Sequence, residues 1–216
     1  MVFNLGQFLH TTLRIMAAET NSGIRIAVIP GSVRPDNYTA KATAIVVDEI
    51  RKHDDISLDL FDLAVLNLPP PGIGGGSAAV EAFVESVSRA TGVIFATPEY
   101  HGSFSSVTKL AIENLGFPSV LAGKPVALLG VAAGAIGAVK SLEQLRSVCS
   151  HVGAIVLPGP VSVAGVRGVF DEAGHCTDDA VEKRIRGVAT HLIDYIHGHI
   201  CPRIALEEMV RQELSR

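Results

Sequence analysis

The chain has 216 residues, 48% of them hydrophobic and 19% charged, with a formal net charge of −4; this is a soluble globular composition, long enough for one main domain with a sizeable core. The mild acidity offers no basic footprint for nucleic acid, and no apolar run reaches the roughly 18 residues that span a bilayer, so neither partner is expected. Cys149, Cys176 and Cys201 are odd in number, far apart and in no C-x-x-C arrangement, which argues against a disulfide framework or a zinc ribbon and fits a reducing cytoplasm.

Residues 1–22 carry Phe3, Leu5, Phe8, Leu9, Leu13, Ile15 and Met16 but neither a charged start nor a sustained apolar centre. They read as a poorly ordered extension, not a secretory signal, with Met16 as an alternative start. From 23 to 200, short apolar runs alternate with segments of helical period, the signature of a parallel sheet covered on both faces. Five strands are expected: Ile24 to Ile29, Ile56 to Leu60, Val93 to Thr97, Val126 to Val131, and Ala154 to Leu157 with a continuation at Val161 to Val163.

Between them, Thr39 to Lys52 and Ala78 to Arg89 are amphipathic at the three-four spacing, and Phe104, Val107, Ala111, Ile112 and Leu115 repeat it. Ile136, Val139, Leu142, Leu145, Val148 and Val152 predict a further helix face, and Asp178 to His197 the last helix that covers the sheet. Leu66 to Ser77, with three prolines and four glycines, reads either as a flexible loop near a site or as a long surface excursion. After Pro202, within a tail spanning 201–216, Ile204 to Leu214 predicts a short helix with Leu206, Met209 and Val210 on one side, facing either a partner subunit or its own domain.

Two polar loops follow apolar strands and fall where open α/β sheets bind ligands, outside the carboxyl ends of the strands. In Gly31 to Thr39, Ser32, Asn37 and Thr39 supply donors, Arg34 supplies charge, and the helix starting near Tyr38 presents free amides. Those are the parts of a phosphate cradle, although an ordinary strand-to-helix turn capped by Asn37 or Thr39 fits the same spacing. Neither G-x-x-x-x-G-K-[ST] nor G-x-G-x-x-G is present there. Gly130, Gly134 and Gly137 match part of a dinucleotide fingerprint, or serve close packing of a helix on the sheet.

The second loop is Pro98-Glu99-Tyr100-His101-Gly102-Ser103-Phe104. Together with Gly31-Ser32-Val33-Arg34 before it, and with Lys109 and Gly134-x-x-Gly137 after it, this loop resembles the NADPH-dependent FMN reductase family across about 24–196. The resemblance implies a flavodoxin-like doubly wound sheet of order 2-1-3-4-5 and an FMN-containing enzyme. Its reaction would be ping-pong: NADPH or NADH delivers hydride to flavin N5, and a small acceptor such as a quinone, flavin, azo compound or metal oxyanion then takes the electrons. A homodimer or homotetramer is implied as well.

Carried over by position, Ser32, Arg34, Asn37, Tyr38 and Thr39 would hold the phosphate. Pro98, Glu99, Tyr100, His101, Gly102 and Ser103 would contact the ring mostly through backbone, and Ala133, Gly134 and Gly137 would line its other edge. No side chain is assigned as catalytic: Glu99 reads as structural, Ser103 has no activating base, and His101 is the candidate modulator. No metal is expected, since His197, His199 and Cys201 lack a second ligand pair.

The chain departs from the family pattern in having Asn37 for serine, His101 for asparagine, Ser105 for proline, Thr108-Lys109-Leu110 for L-K-N, and Ala132 and Ala133 where a serine is usual. Two other readings compete: a flavodoxin-like electron carrier, disfavoured by the absence of Trp and by the mild charge, and a relative that has lost flavin and acts as a binding protein. A phospho-receiver is disfavoured because strands one and three end at Pro30 and Pro98 instead of at clustered acids.

Overall fold

A computed structural model describes residues 23–73 and 77–214, so the expectation for 1–22 and the glycine run at 74–76 lie outside the described residues. In chain order the elements are β1 (Ile24–Pro30), α1 (Tyr38–Ile50), β2 (Ile56–Leu60), α2 (Leu63–Leu66), α3 (Ala78–Arg89), β3 (Gly92–Tyr100) and β4 (Ser103–Phe104). They continue with α4 (Ser106–Asn114), β5 (Pro125–Val131), α5 (Val139–His151), β6 (Ile155–Val156), β7 (Val161–Val163), α6 (Asp179–Tyr195) and α7 (Cys201–Leu214).

The sheet runs β2-β1-β3-β5-β6, all parallel, so the expected doubly wound order holds along its main path. Two strands modify the five-stranded expectation. The fifth strand is broken: β6 pairs with the start of β5 and β7 with its end, because Pro158 and Pro160 in between cannot donate to a ladder. β4 is the return strand of an antiparallel hairpin on β3.

The central strands β3 and β5 are buried on both faces, which explains why they read as continuous apolar runs, whereas the edge strand β2 is only partly covered. On one face Ile26, Val28, Ile94 and Ala96 pack under α1 and α6. On the other, Ala27, Ile29, Val93 and Phe95 join a core with Phe83, Val87, Ala111, Ile112, Leu142 and Leu145 from α3, α4 and α5. Expected helix faces are buried at Ala42, Val46 and Ile50, and at Val181, Ile185, Val188, Leu192 and Ile196.

Two expectations need correction. Ile136 and Val139 do not share the buried face of α5: they are 82% and 43% exposed, because the chain turns through Gly134 to Gly137 and the helix begins only at Val139. The tail helix expected over Ile204 to Leu214 begins earlier, at Cys201, and Pro202 falls within it. Ile196–Ile200 forms a π-helical turn, with the Cys201 N–H reaching back to the Ile196 carbonyl, and this wider turn carries the helical path past the proline into α7. Leu206, Met209 and Val210 on α7 are all exposed, so this side of the helix does not pack on its own domain.

Candidate functional site

Parallel pairing of β1, β3 and β5, with Pro30 beside Ala96 and Pro98 beside Val131, brings three loops out at one sheet edge. These are the loop after β1, the β3–β4 hairpin and the loop before α5. A cleft of about 460 Å³ lies between the first two, lined by Arg34 and by Glu99, Tyr100, His101, Phe104 and Ser105. That volume falls within the range of small-molecule sites.

Gly31 opens the first loop, its N–H donating to the Ala96 carbonyl at 2.7 Å. Next to it, the Ser32 hydroxyl is buried without a hydrogen-bond partner, the one such side-chain atom among the described residues. An orphaned buried hydroxyl costs stability unless a ligand or water completes it. Asn37 caps α1: its Oδ1 accepts from the Ala40 N–H at 2.8 Å and its Nδ2 donates to the Arg34 carbonyl at 2.7 Å. Both ends of the Asn37 side chain are thus used to shape the loop.

With Ala40 capped, the first two amides of α1, those of Tyr38 and Thr39, have no intrahelical acceptor. They carry the positive end of the helix dipole. Thr39 is buried, while the Tyr38 ring turns away toward Phe170, 6.1 Å between centroids. Arg34 lays its guanidinium over the Tyr100 ring at 4.6 Å and so bridges the first loop and the hairpin.

The segment Pro98 to Phe104, expected as a polar, turn-rich loop, is a β-hairpin with Glu99 opposite Phe104 and Tyr100 opposite Ser103. Its two-residue turn has φ of +51° at His101 and +73° at Gly102, the geometry of a type I′ turn. Asparagine is favoured at the first of these positions and histidine tolerates it, which gives the family's asparagine a backbone reason.

The hairpin is held from α5. Gln144 donates to the Gly102 carbonyl at 2.9 Å and accepts from the Ser103 hydroxyl at 2.7 Å. The Glu99 carboxylate accepts from the Ser141 N–H at 3.1 Å, capping a helix whose own N-cap, Ala138, has no side chain for the purpose. Glu99 is thereby engaged as a remote cap. Ala133 and Gly134 are exposed on the third loop and, like Ser32, Asn37, Tyr38 and Thr39, lie outside the lining of this cleft.

The glycines after β5 have packing reasons. A Cβ on Gly130 would lie 2.7 Å from that of Ala138, and one on Gly137, at φ +80°, would lie 2.4 Å from the Ser162 hydroxyl that caps the Ala138 N–H. The α5 N-terminus is thus occupied by Ser162 and Glu99, and the partial dinucleotide fingerprint is accounted for by packing of helix on strand.

Thr97, Ser105 and Thr108, buried beneath the first loop, were not among the expected site residues. Ser105 Oγ donates to the Gly31 carbonyl at 2.5 Å and meets Thr108 Oγ1 at 2.9 Å; Thr97 Oγ1 accepts from the Ser105 N–H at 3.1 Å. Among the described residues no group of three or more His, Cys, Asp or Glu side chains is arranged to hold a metal ion, and no helix is long and apolar enough to cross a membrane. Burial pushes the Cys149 thiol up to about 12.

Comparison with known proteins fits this geometry. The chain is 30% identical over 168 residues to an NAD(P)H-dependent FMN reductase of Pseudomonas aeruginosa, covering 76% of this chain and 90% of that one. It is 32% identical over 141 residues to a 2-hydroxy-1,4-benzoquinone reductase of a Burkholderia species, covering 63% and 76% respectively. Among solved structures, the flavoenzyme NAD(P)H:(acceptor) oxidoreductase of Paracoccus denitrificans superposes with a TM-score of 0.69 at 23% identity, over 82% of this chain and 98% of that one. The family model for NADPH-dependent FMN reductases matches residues 24–167, and the chain belongs to that family.

Proposed function

We propose that the chain is an NAD(P)H-dependent oxidoreductase with FMN as its bound cofactor and a small molecule as electron acceptor. The observation that carries this reading beyond family membership is the buried, unpartnered Ser32 hydroxyl beside the two open amides of α1. A phosphate would complete these donors, and Arg34 is the cation available to it. In this reading Ser32, Arg34 and the amides of Tyr38 and Thr39 hold the phosphate, while Asn37 shapes the loop around it. Pro98 to Ser103 face the ring through their backbone, and Ala133, Gly134 and Gly137 stand at its far edge.

FMN, when bound, supplies hydride acceptance at N5 from NADPH or NADH and electron delivery to a quinone, flavin, azo compound or metal oxyanion, in two half-reactions. The contribution of the chain is to bind and orient. The hairpin, fixed by Gln144 and Glu99, presents preformed backbone groups toward the ring. Glu99 acts in this reading as a cap, and His101 sits at the turn as the residue able to modulate the ring.

A homodimer or homotetramer is part of the reading, supported by the exposed Leu206, Met209 and Val210 of α7. Three free thiols fit a cytoplasmic location. The test is spectroscopic: the purified protein, as isolated or after adding FMN, should be yellow and should bleach anaerobically with NADPH or NADH. Each acceptor class is then offered in turn. A colourless protein that fails to take up FMN would sink this reading in favour of a flavin-free binding protein.

A further inference from the structure

Two of the positions at which the chain departs from its family's pattern, Ser105 and Thr108, touch one another and the first loop. Ser105 Oγ lies 2.5 Å from the Gly31 carbonyl, 3.1 Å from the Thr108 N–H and 2.9 Å from Thr108 Oγ1. Thr97 Oγ1 lies 3.0 Å from the Pro98 carbonyl and 3.3 Å from Thr108 Oγ1.

Each hydroxyl has one proton, and this assigns the network. Ser105 donates to Gly31, Thr97 donates to Pro98, and Thr108 donates to Ser105 or Thr97. Ser105 Oγ is left as acceptor for the Thr108 amide. All three side chains are at most 3% exposed, so the network is dry and its geometry fixed.

The Gly31 residue is consequently held at both ends: its carbonyl by Ser105, and its N–H by the Ala96 carbonyl. The next residue is Ser32, whose buried hydroxyl has no protein partner. We propose that Ser105 and Thr108 are positioning residues for the phosphate end of the site, clamping the Gly31 carbonyl inward so that Ser32 faces a phosphate monoester. This rests on the FMN reading above. A proline at position 105 could not supply this hydroxyl, so the serine is a feature of this chain's own site.

Through Thr97 the network also reaches the Pro98 carbonyl, but both variants leave the Thr97 hydroxyl and its bond to Pro98 in place, so the lost contacts are those beneath Gly31. The turn of the ring-facing hairpin is held separately, by Gln144 on α5. Ser105→Ala keeps the Ser105 N–H bond to Thr97 but removes the side-chain cap of α4, leaving the Thr108 N–H without its acceptor, whereas Thr108→Val keeps that cap and removes only the Thr108 hydroxyl contacts.

The experiment is a titration of the full-length, flavin-stripped chain with FMN and, separately, with riboflavin, which lacks the phosphate, followed by quenching of flavin fluorescence. Ser105→Ala and Thr108→Val should each weaken FMN about ten-fold, the loss of roughly one buried hydrogen bond, with riboflavin changed less than about two-fold. Thr108→Ser should restore the wild-type preference. Equal losses for both flavins, or no loss for either, would overturn the proposal while leaving the FMN reading intact. A wild-type chain with no preference for FMN over riboflavin would overturn the phosphate reading and the proposal with it. Should Ser105→Ala not fold, Thr108→Val decides alone by the same criteria.

Discussion

Gly31→Ala is the substitution for which the structure dictates the largest local consequence. A Cβ at this position would lie 1.8 Å from Thr108 Oγ1, with Ser105 Oγ and Thr108 Cβ both at 3.1 Å. Real Cβ contacts below 3.0 Å are essentially absent, so the loop and α4 must separate by more than ~1 Å, which also stretches the Ser105 bond to the Gly31 carbonyl. Overpacking costs ~1–3 kcal/mol and the impaired buried hydrogen bond about 1 kcal/mol, so a destabilisation near 3 kcal/mol is expected in urea unfolding. The cycle with Thr108→Ala isolates the cause. Without Oγ1 the nearest atoms are at 3.1 Å, and Gly31→Ala should then cost only ~1 kcal/mol, a coupling of about 2 kcal/mol. A coupling below ~0.5 kcal/mol would refute the assignment of Gly31 to close approach.

Three further positions, Glu99, His101 and Arg34, give expected outcomes from the same geometry. Glu99→Gln keeps an oxygen for the Ser141 amide and should leave turnover within about two-fold, whereas Glu99→Ala should cost ~1 kcal/mol of stability; a collapse of turnover in Glu99→Gln would restore a catalytic carboxylate. His101→Asn should match or exceed wild-type stability and His101→Val should lose ~1–2 kcal/mol, measured by thermal unfolding, because a β-branched residue resists φ near +51°. Arg34→Ala should weaken FMN by roughly ten- to hundred-fold in a fluorescence titration if its charge meets the phosphate, and unchanged affinity would remove it from the site.

Cys149 gives a pH dependence. Its folded-state value is raised, so the stability it contributes is complete below the ordinary thiol value of 9.0 and is lost as pH rises toward about 12. The loss is about 1.4 kcal/mol per pH unit across that window. Cys149→Ala, compared over the same range, should lack this component, and an identical alkaline slope would contradict it.

Much of the fold was legible because burial on both faces writes a parallel strand as an apolar run; Ile24 to Pro30 and Val126 to Val131 show this plainly. Periodicity failed at Ile136, whose spacing suits a helix face but whose chain is still turning at Gly137. The hairpin at His101-Gly102 escaped notice because His-Gly is a weaker signal for a type I′ turn than Asn-Gly.

Residues around the site were harder to read for a different reason. Glu99 and Ser141 lie 42 positions apart, as do Gly102 and Gln144, and only the register of β3 on β5 brings them together. Ser105 and Thr108 were visible as departures from a pattern, yet nothing local announces that both hydroxyls turn inward under Gly31.

The break in the fifth strand bears on how the molecule avoids its own copies. A sheet margin with a long row of unpaired amides and carbonyls invites another strand to add to it. Here that margin is cut into pieces of two and three residues, β6 and β7, with two prolines between them that offer no N–H. At the opposite margin β2 carries the charged Asp59, tied to Arg25 and Ser86. An incoming strand therefore finds a short, interrupted template on one side and a charge on the other. Among the described residues, both ends of the sheet are thus poor templates for uncontrolled strand addition.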